Sequence, residues 1–359
     1  MQGNMTPFQH DFSKEWYAQQ KIDVLYTVTS EQIQDPLLTK FTGISHTDFS
    51  FRFVQTPTQQ LLTTSPLEAG TVKQTYSGKL KVVRSRQDVI HTLRPFFKNK
   101  KVGVNLNYIT AGQVNALKKV FPSTKFVDVS SALYASREIK TRDELKKIRE
   151  AVKVTKRVVG KIPSLVKNHM TEIQLAAEID HAFAKEGCSP SFTTIVAFGK
   201  NSRNIHHFNS HKKLQKGENV LVDCGAKFEG YCADLSRTFV YGNANVEQHE
   251  MYEKCVHAQQ AAFDIIKPGA HAKHTFDVAE KTLGHKIPHA LGHGIGLETH
   301  DVPGAIHAKA EWIFKPGMAI AVEPGFYGKK WGIRIEDDTI ITKTGNERLS
   351  AAPKKLIEI

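Results

Sequence analysis

Four acidic residues sit in sequence that otherwise reads as apolar strand. Asp223 follows Asn219-Val220-Leu221-Val222, and Asp234 lies just before Arg237-Thr238-Phe239-Val240-Tyr241. The two are 11 residues apart. A hairpin turning between Phe228 and Glu229 would set them directly opposite each other on one sheet face, with Cβ atoms ~4.5–5.5 Å apart. Glu323 and Glu336 repeat the arrangement, 13 residues apart and symmetric about Lys329-Lys330, with Ala319-Ile320-Ala321-Val322 and Ile333 and Ile335 on the flanking strands. Opposed like charges repel, and ionised carboxylates among apolar strands are costly unless they are protonated or coordinate metal. A further ligand can come from the stretch His289 to His300, where His289, His293 and His300 lie among Gly292, Gly294 and Gly296. Those glycines forbid a stable helix, which separates the stretch from the helical His-Glu-x-x-His zinc site. They also let backbone approach a ligand closely and leave one imidazole free to coordinate. Four carboxylates with one imidazole suit Mn²⁺, Fe²⁺, Co²⁺ or Zn²⁺ in a two-metal site whose bridging carboxylates hold the ions ~3.5–4 Å apart. Taken singly, each residue reads as a surface charge or a structural histidine; the five together point to metal ligation.

These side chains need a framework to hold them. Thr141 with Glu144 announces a helix, and Leu145, Ile148, Val152, Thr155, Val158, Val159 and Ile162 recur at three- and four-residue steps behind it. Its outer face carries Lys146, Lys147, Arg149, Lys153, Lys156 and Arg157 and reads as a solvated helix side rather than a binding surface. Thr171 with Gln174 opens a second helix through Leu175, Ile179 and Phe183 to Gly187. A third runs from about Val246 to Ile266 and stops at Pro268-Gly269. The strands about Gly230 form the expected hairpin. Upstream, Val24-Leu25-Tyr26, Val102-Gly103-Val104 and the helical stretch Gly112 to Val120 alternate as an α/β unit without a chemical motif. The small, polar segment Ser130 to Ser136 is expected to connect the two halves.

The whole chain sets outer bounds. At 359 residues it has the length of about two domains. With 40% hydrophobic and 24% charged residues it is globular rather than disordered or fibrous. It holds no run of ~20 apolar residues, and its opening, MQGNMTPFQHDFSKEW, lacks the basic start and apolar core of a secretory signal, so a cytoplasmic protein without a membrane partner is expected. Four cysteines without Cys-x-x-Cys spacing exclude a disulfide framework or zinc finger. Strand alternation sends Cys224 away from Asp223's face, which makes a bridge to Cys232 improbable and leaves Cys232 as packing. The net charge of +13 raises an anionic partner without identifying one.

The segments "LVDCGAKFEGYCADLSRTF", "HALGHGIGLETHD", "VEPGFY" and "GIRIEDD", in this order, resemble the Xaa-Pro peptidases, prolidase and aminopeptidase P, of the methionine aminopeptidase-like M24 metallopeptidase family. The resemblance covers Arg137 to the C-terminus, and residues 1–130 more weakly resemble the creatinase/prolidase-type N-terminal domain. It implies an α/β (α+β) protein: a C-terminal pita-bread catalytic domain, 137–359, two pseudo-symmetric halves around a curved antiparallel sheet, preceded by a smaller α/β N-terminal domain. It implies two divalent metal ions per subunit, Mn²⁺ foremost with Co²⁺, Fe²⁺ or Zn²⁺ as alternatives, on Asp223, Asp234, His293, Glu323 and Glu336, of which Asp234 and Glu336 bridge. Glu323 is implied to carry the proton, and His206 and His300 to contact substrate and the developing oxyanion. His289 is implied as a further pocket histidine and Arg334 as a cation that contacts substrate or orients a bridging carboxylate; His207 is held as a spare for His206. Two departures, Ser236 where the family has Thr and Asp301 where Glu often follows the histidine, remove no ligand. The implied activity is hydrolysis of the Xaa-Pro bond in dipeptides or at peptide N-termini by a homodimer that takes no nucleic acid. A methionine aminopeptidase-like enzyme and a non-catalytic pita-bread binding module are the alternatives; the extra N-terminal domain weighs against the first and the filled ligand set against the second.

Overall fold

The computed structural model describes residues 12–30, 33–45, 50–353 and 355–359. Residues 1–11, part of the opening from which no leader is expected, lie outside the described residues. Contacts divide the chain into two compact units, Met1–Ser136 and Arg137–Ile359. Among the described residues, no helix is long and apolar enough to cross a membrane.

The first unit holds β1 (Val24–Val28), β2 (Arg52–Gln55), β3 (Gln60–Thr64), β4 (Leu80–Val82), β5 (Lys101–Val104) and β6 (Lys125–Asp128) in one sheet of order β4-β3-β2-β1-β5-β6. β2 runs antiparallel to its neighbours and the other pairings are parallel. Its helices are α1 (Lys14–Gln20), α2 (Leu37–Thr42), α3 (Ala69–Thr75), α4 (Arg86–Phe97), α5 (Ala111–Val120) and α6 (Ser130–Ala135). Alternation along β1 makes two cores: Leu25 joins Leu37, Phe41, Phe53 and Leu62, while Val24, Tyr26 and Val28 join Leu93, Phe97, Val102 and Val104. The expected connector 130–136 is mostly helix α6. It holds no Gly or Pro to stop a helical turn, and Leu133 is fully buried in the first core.

The second unit opens with α7 (Arg142–Leu165) and α8 (Glu172–Lys185), both started by complete capping boxes at Thr141/Glu144 and Thr171/Gln174. The basic face of α7 is partly ion-paired: Arg149 with Glu347, Arg157 with Glu186 and Lys147 with Glu229. Strands β7 (Ser189–Pro190), β8 (Ile195–Phe198), β9 (Asn219–Cys224), β10 (Ala226–Phe228), β11 (Tyr231–Cys232) and β12 (Leu235–Val240) follow. After α9 (Val246–Ile265) and α10 (Ala272–Leu283) come β13 (Gly292–Gly294), β14 (Asp301–Ile306), β15 (Ala319–Val322), β16 (Gly325–Tyr327), β17 (Gly332–Arg334), β18 (Asp337–Ile341), β19 (Asn346–Arg348) and β20 (Ile357–Glu358). The main sheets are β20-β12-β9-β8 and β14-β13-β15-β18-β19, antiparallel except where β20 joins β12. The apolar faces of α7 and α8 pack with the first sheet and those of α9 and α10 with the second.

Register corrects one expectation. The first hairpin turns on Glu229 and Gly230, both with positive φ, 46° and 86°, between the paired Phe228 and Tyr231. A two-residue type I′ turn needs positive φ at both positions, and Gly takes the second at no steric cost. The turn centre therefore falls one residue later than expected, which moves every partner by two. Asp223 faces Ser236, and Asp234 sits diagonally from it on the same sheet face. The second hairpin keeps its expected register, with Val322 opposite Asp337 and Gly325 opposite Arg334, so Glu323 and Glu336 are opposed.

Candidate metal centre

At the opposed glutamates the second hairpin's ladder opens. The Glu323 N–H donates to the Leu291 carbonyl at 2.7 Å and the Glu336 N–H to the Ser236 carbonyl at 3.0 Å. The second bond ties the two hairpins together, and the first draws in the histidine stretch. Gly292 and Gly294 serve this join: a Cβ on Gly292 would come within 2.0 Å of the Ala321 carbonyl oxygen, and one on Gly294 within 2.3 Å of Val302 backbone. Their close approach is to neighbouring strands, and it delivers His293 between them.

Asp234, His293 and Glu336, all buried, each bring a ligand atom within 4.8 Å of the others. His293 Nε2 is 3.7 Å from Asp234 Oδ2, 3.7 Å from Glu323 Oε1 and 3.9 Å from Glu336 Oε1. Its Nδ1 lies 3.1 Å from the Gly294 carbonyl. Donation there fixes the tautomer that leaves the Nε2 lone pair facing the carboxylates, as a ligating imidazole requires. Burial, then the charges of Glu336 and Asp223, hold Asp234 well above the usual carboxylate range. Burial, then Glu323 and Asp223, do the same to Glu336. Burial pushes Glu323 up to about 8 and His293 down to about 4. Asp223 Oδ1, Asp234 Oδ1 and Glu336 Oε1 are buried and accept no hydrogen bond among the described residues. Buried acceptors without donors are expensive, and a divalent cation is the partner that this oxygen-rich, one-imidazole set fits.

The frame around the carboxylates is polar and hydrogen-bonded. Arg334 is buried, and the carboxylate it reaches directly is Asp223 rather than either expected bridge: Nη2 donates to Asp223 Oδ2 at 2.7 Å, Nε to Ser236 Oγ at 2.8 Å, and Nη1 to the Tyr327 hydroxyl at 3.0 Å and the Ile205 carbonyl at 3.2 Å. The Ser236 hydroxyl in turn donates a hydrogen bond to Glu336 Oε2 at 2.9 Å. His289 Nδ1 sits 2.6 Å from the Ala290 carbonyl and Nε2 3.0 Å from the Tyr327 hydroxyl, which fixes the imidazole as acceptor toward Tyr327. Arg237 donates to Asp337 Oδ1 and the Glu336 carbonyl, each at 2.6 Å.

Both His206 and His300 are exposed, and His206 is near enough for its charge to help burial lower His289 and His300. The His300 ring stands edge-on to His293 with centroids 4.3 Å apart. His207 instead contacts Glu172 Oε2 at 2.8 Å. Asp301 pairs with Arg137 at 3.0 Å and accepts the Leu297 and Val302 N–H groups. All four cysteines are free and buried.

Two residues of this frame escaped the sequence reading. Tyr327 connects Arg334 to His289. Asp338 accepts the Asp234 N–H at 2.9 Å while its Oδ1 has no hydrogen-bond partner among the described residues. Period-two alternation already put Asp338 on the face of Glu336, a signal present in the consecutive acids of "RIEDD".

Comparison with known proteins adds an independent finding. Metallopeptidase family M24 matches residues 146–343, and the Creatinase/Prolidase N-terminal domain matches residues 14–139. The chain is 33% identical over 265 residues to a Xaa-Pro dipeptidase of Pyrococcus horikoshii, covering 72% of this chain and 75% of that one. An X-Pro aminopeptidase structure from Thermotoga maritima MSB8 superposes with a TM-score of 0.88 at 27% identity, covering 94% of this chain and 98% of the other. The prolidase from Pyrococcus horikoshii OT3 superposes with a TM-score of 0.86 at 28% identity, covering 96% and 98%.

Proposed function

The chain belongs to metallopeptidase family M24, and from that premise we propose that it hydrolyses the bond between an N-terminal residue and proline, in dipeptides or at the start of longer peptides. The observation that carries the metal-dependent reading is the convergence of Asp234, Glu323 and Glu336 on His293 Nε2, with Asp223 Oδ1, Asp234 Oδ1 and Glu336 Oε1 buried and without a donor among the described residues. The proline preference draws on the relatives, which are named for Xaa-Pro substrates.

Asp223, Asp234, His293, Glu323 and Glu336 would hold two divalent ions, Mn²⁺ foremost, with Asp234 and Glu336 shared between them. When bound, such ions polarise a scissile carbonyl and lower the pKa of water toward neutrality. The protein's own side chains do the rest. Glu323 takes a proton from the water whose oxygen adds to the carbonyl carbon and delivers it to the proline nitrogen as the C–N bond breaks. His206 and His300, at the exposed side of the cluster, donate hydrogen bonds to the oxygen that becomes negative in the tetrahedral intermediate. Arg334 and Tyr327 hold Asp223 and His289 in place, and Arg334 is proposed as a positioning group because its donors are taken up by the protein.

The test is a set of initial rates on Leu-Pro and on a longer peptide with proline second, with the enzyme loaded in turn with Mn²⁺, Co²⁺, Fe²⁺ and Zn²⁺. Cleavage only before proline supports the proposal. Release of methionine from Met-Ala-Ser with no cleavage of Xaa-Pro substrates would contradict it.

A further inference from the structure

The first unit carries a cleft remote in sequence from every residue assigned above. It lies between α4 and α5 over β1 and has a volume of about 190 Å³. Val89, Ile90 and Leu93 of α4 and Ala116, Leu117 and Val120 of α5 form its walls, with Tyr26 and Val28 beneath. Among the lining residues there is no carboxylate, and two arginines, Arg52 and Arg86, are present.

Their place in the sheet is informative. Arg52 pairs with Val28 at the carboxyl end of β1, and Arg86 is the first residue of α4, which follows β4. Both therefore stand at the carboxyl edge of the parallel strands. The chain orders strands outward from β1 to β4 on one side and then restarts with β5 on the other, so a topological switch point lies between β1 and β5. The crevice outside such an edge is where open α/β sheets bind ligands. Gln113, at the start of α5, spends its carbonyl oxygen on the Thr110 cap and leaves its amide nitrogen to donate. The cationic groups and the donor gather at one end of an apolar slot.

The stretch of sequence that supplies α4 and α5 carries charge of the same sign. Between Lys73 and Lys125 the sequence holds 12 lysines and arginines and one acid, Asp88. All 12 are exposed, and Asp88 accepts the Arg84 N–H at the start of α4. Among the described residues none of the 12 is ion-paired, in contrast to the basic face of α7. An excess of this kind raises the concentration of anions near this part of the protein.

We propose that this cleft binds a small amphipathic anion: an apolar body ending in one carboxylate or phosphate, the body between the helices and the head at Arg52 and Arg86. An apolar cavity of roughly 150 Å³ accepts benzene, so the slot suits a body of about six to eight carbons. The assignment is independent of the peptidase reading, because it uses no residue of the second unit.

The experiment is calorimetric titration of the full-length, metal-loaded protein with octanoate, octyl phosphate and octylammonium. Saturable binding of octanoate or octyl phosphate, with none for octylammonium, is expected; which head binds more tightly separates a carboxylate from a phosphate ligand. Arg52→Gln and Arg86→Gln should each weaken binding by about tenfold or more, since each removes a charge-assisted contact. Ala116→Trp, at an exposed position on the wall, should block the slot while its circular dichroism and melting midpoint match the parent. Hydrolysis of Leu-Pro by the three variants should stay within about twofold of the parent, which excludes the metal centre as the binding place. Absence of binding by both anions, equal binding of octylammonium, or binding unchanged in all three variants would overturn the proposal.

Discussion

At the residue scale, the centre is organised by the partner each ionisable group lacks or has. Asp223, Asp234 and Glu336 each keep a buried oxygen without a donor among the described residues, while the second oxygen of Asp223 is held by Arg334 and that of Glu336 by Ser236. Arg334 reaches Asp223, Ser236 and Tyr327 from one planar fork, and a lysine ammonium on a flexible stem cannot span those three directions at once. Arg334→Lys is therefore expected to lower Mn²⁺ affinity or kcat/KM by about 10–100-fold, as loss of a ligand-orienting contact commonly does. Titration of the chelated variant with Mn²⁺ checks it, and parent-like affinity together with parent-like turnover would remove Arg334 from the account.

At the element scale, two short-range devices set the geometry. Gly292 lets β13 lie against β15, so Gly292→Ala must force strands apart around Ala321 and displace His293. A cost of about 3 kcal/mol or more in urea unfolding, with loss of bound metal, is expected. The other device is Glu172 at the start of α8. Burial alone would raise its carboxyl, but the Ser210 hydroxyl, the Phe198 N–H, His207 and Asn201 outweigh it and hold the group below the usual range. A lowered pKa stabilises the fold above the ordinary carboxylate value of ~4.3, and that stability is lost as pH falls through the folded value. Glu172→Gln should thus cost about 1.5–3 kcal/mol at pH 7, and the gap to the parent should shrink below about pH 4; a gap equal at both pH values would show that charge is not the cause. The same scale explains what could be read in the sequence. The capping boxes at Thr141 and Thr171 are local, so their spacing sufficed, and the register around Lys329-Lys330 followed from symmetry. The turn at Glu229-Gly230 was misplaced because the spacing of two aspartates says nothing about φ, whereas Gly230 marks the turn directly. α6 was missed because a small, polar composition hides the burial of Leu133. The Arg334–Tyr327–His289 chain and the Asp234–Asp338 contact join residues from separate strands, which no local pattern encodes.

At the scale of the whole molecule, all five proposed ligands come from the second unit, while the exposed basic stretch 73–125 lies in the first. Cations that bind the folded chain and not the unfolded one stabilise it by mass action, about 2.7 kcal/mol at a free concentration 100 times Kd. Chelation should accordingly lower the melting midpoint, and restoring Mn²⁺ should slow amide exchange first around 219–240, 289–300 and 319–338; a midpoint indifferent to chelator would argue that the carboxylates are satisfied otherwise. The most direct test of the central claim is the metal content and Leu-Pro turnover of Asp234→Asn and Glu336→Gln after loading with Mn²⁺. The account predicts close to two ions per chain in the parent, a loss of bound metal in each variant and turnover reduced by at least about 10³-fold, the scale of losing a catalytic electrostatic group. Parent-like metal content and turnover in both variants would contradict it.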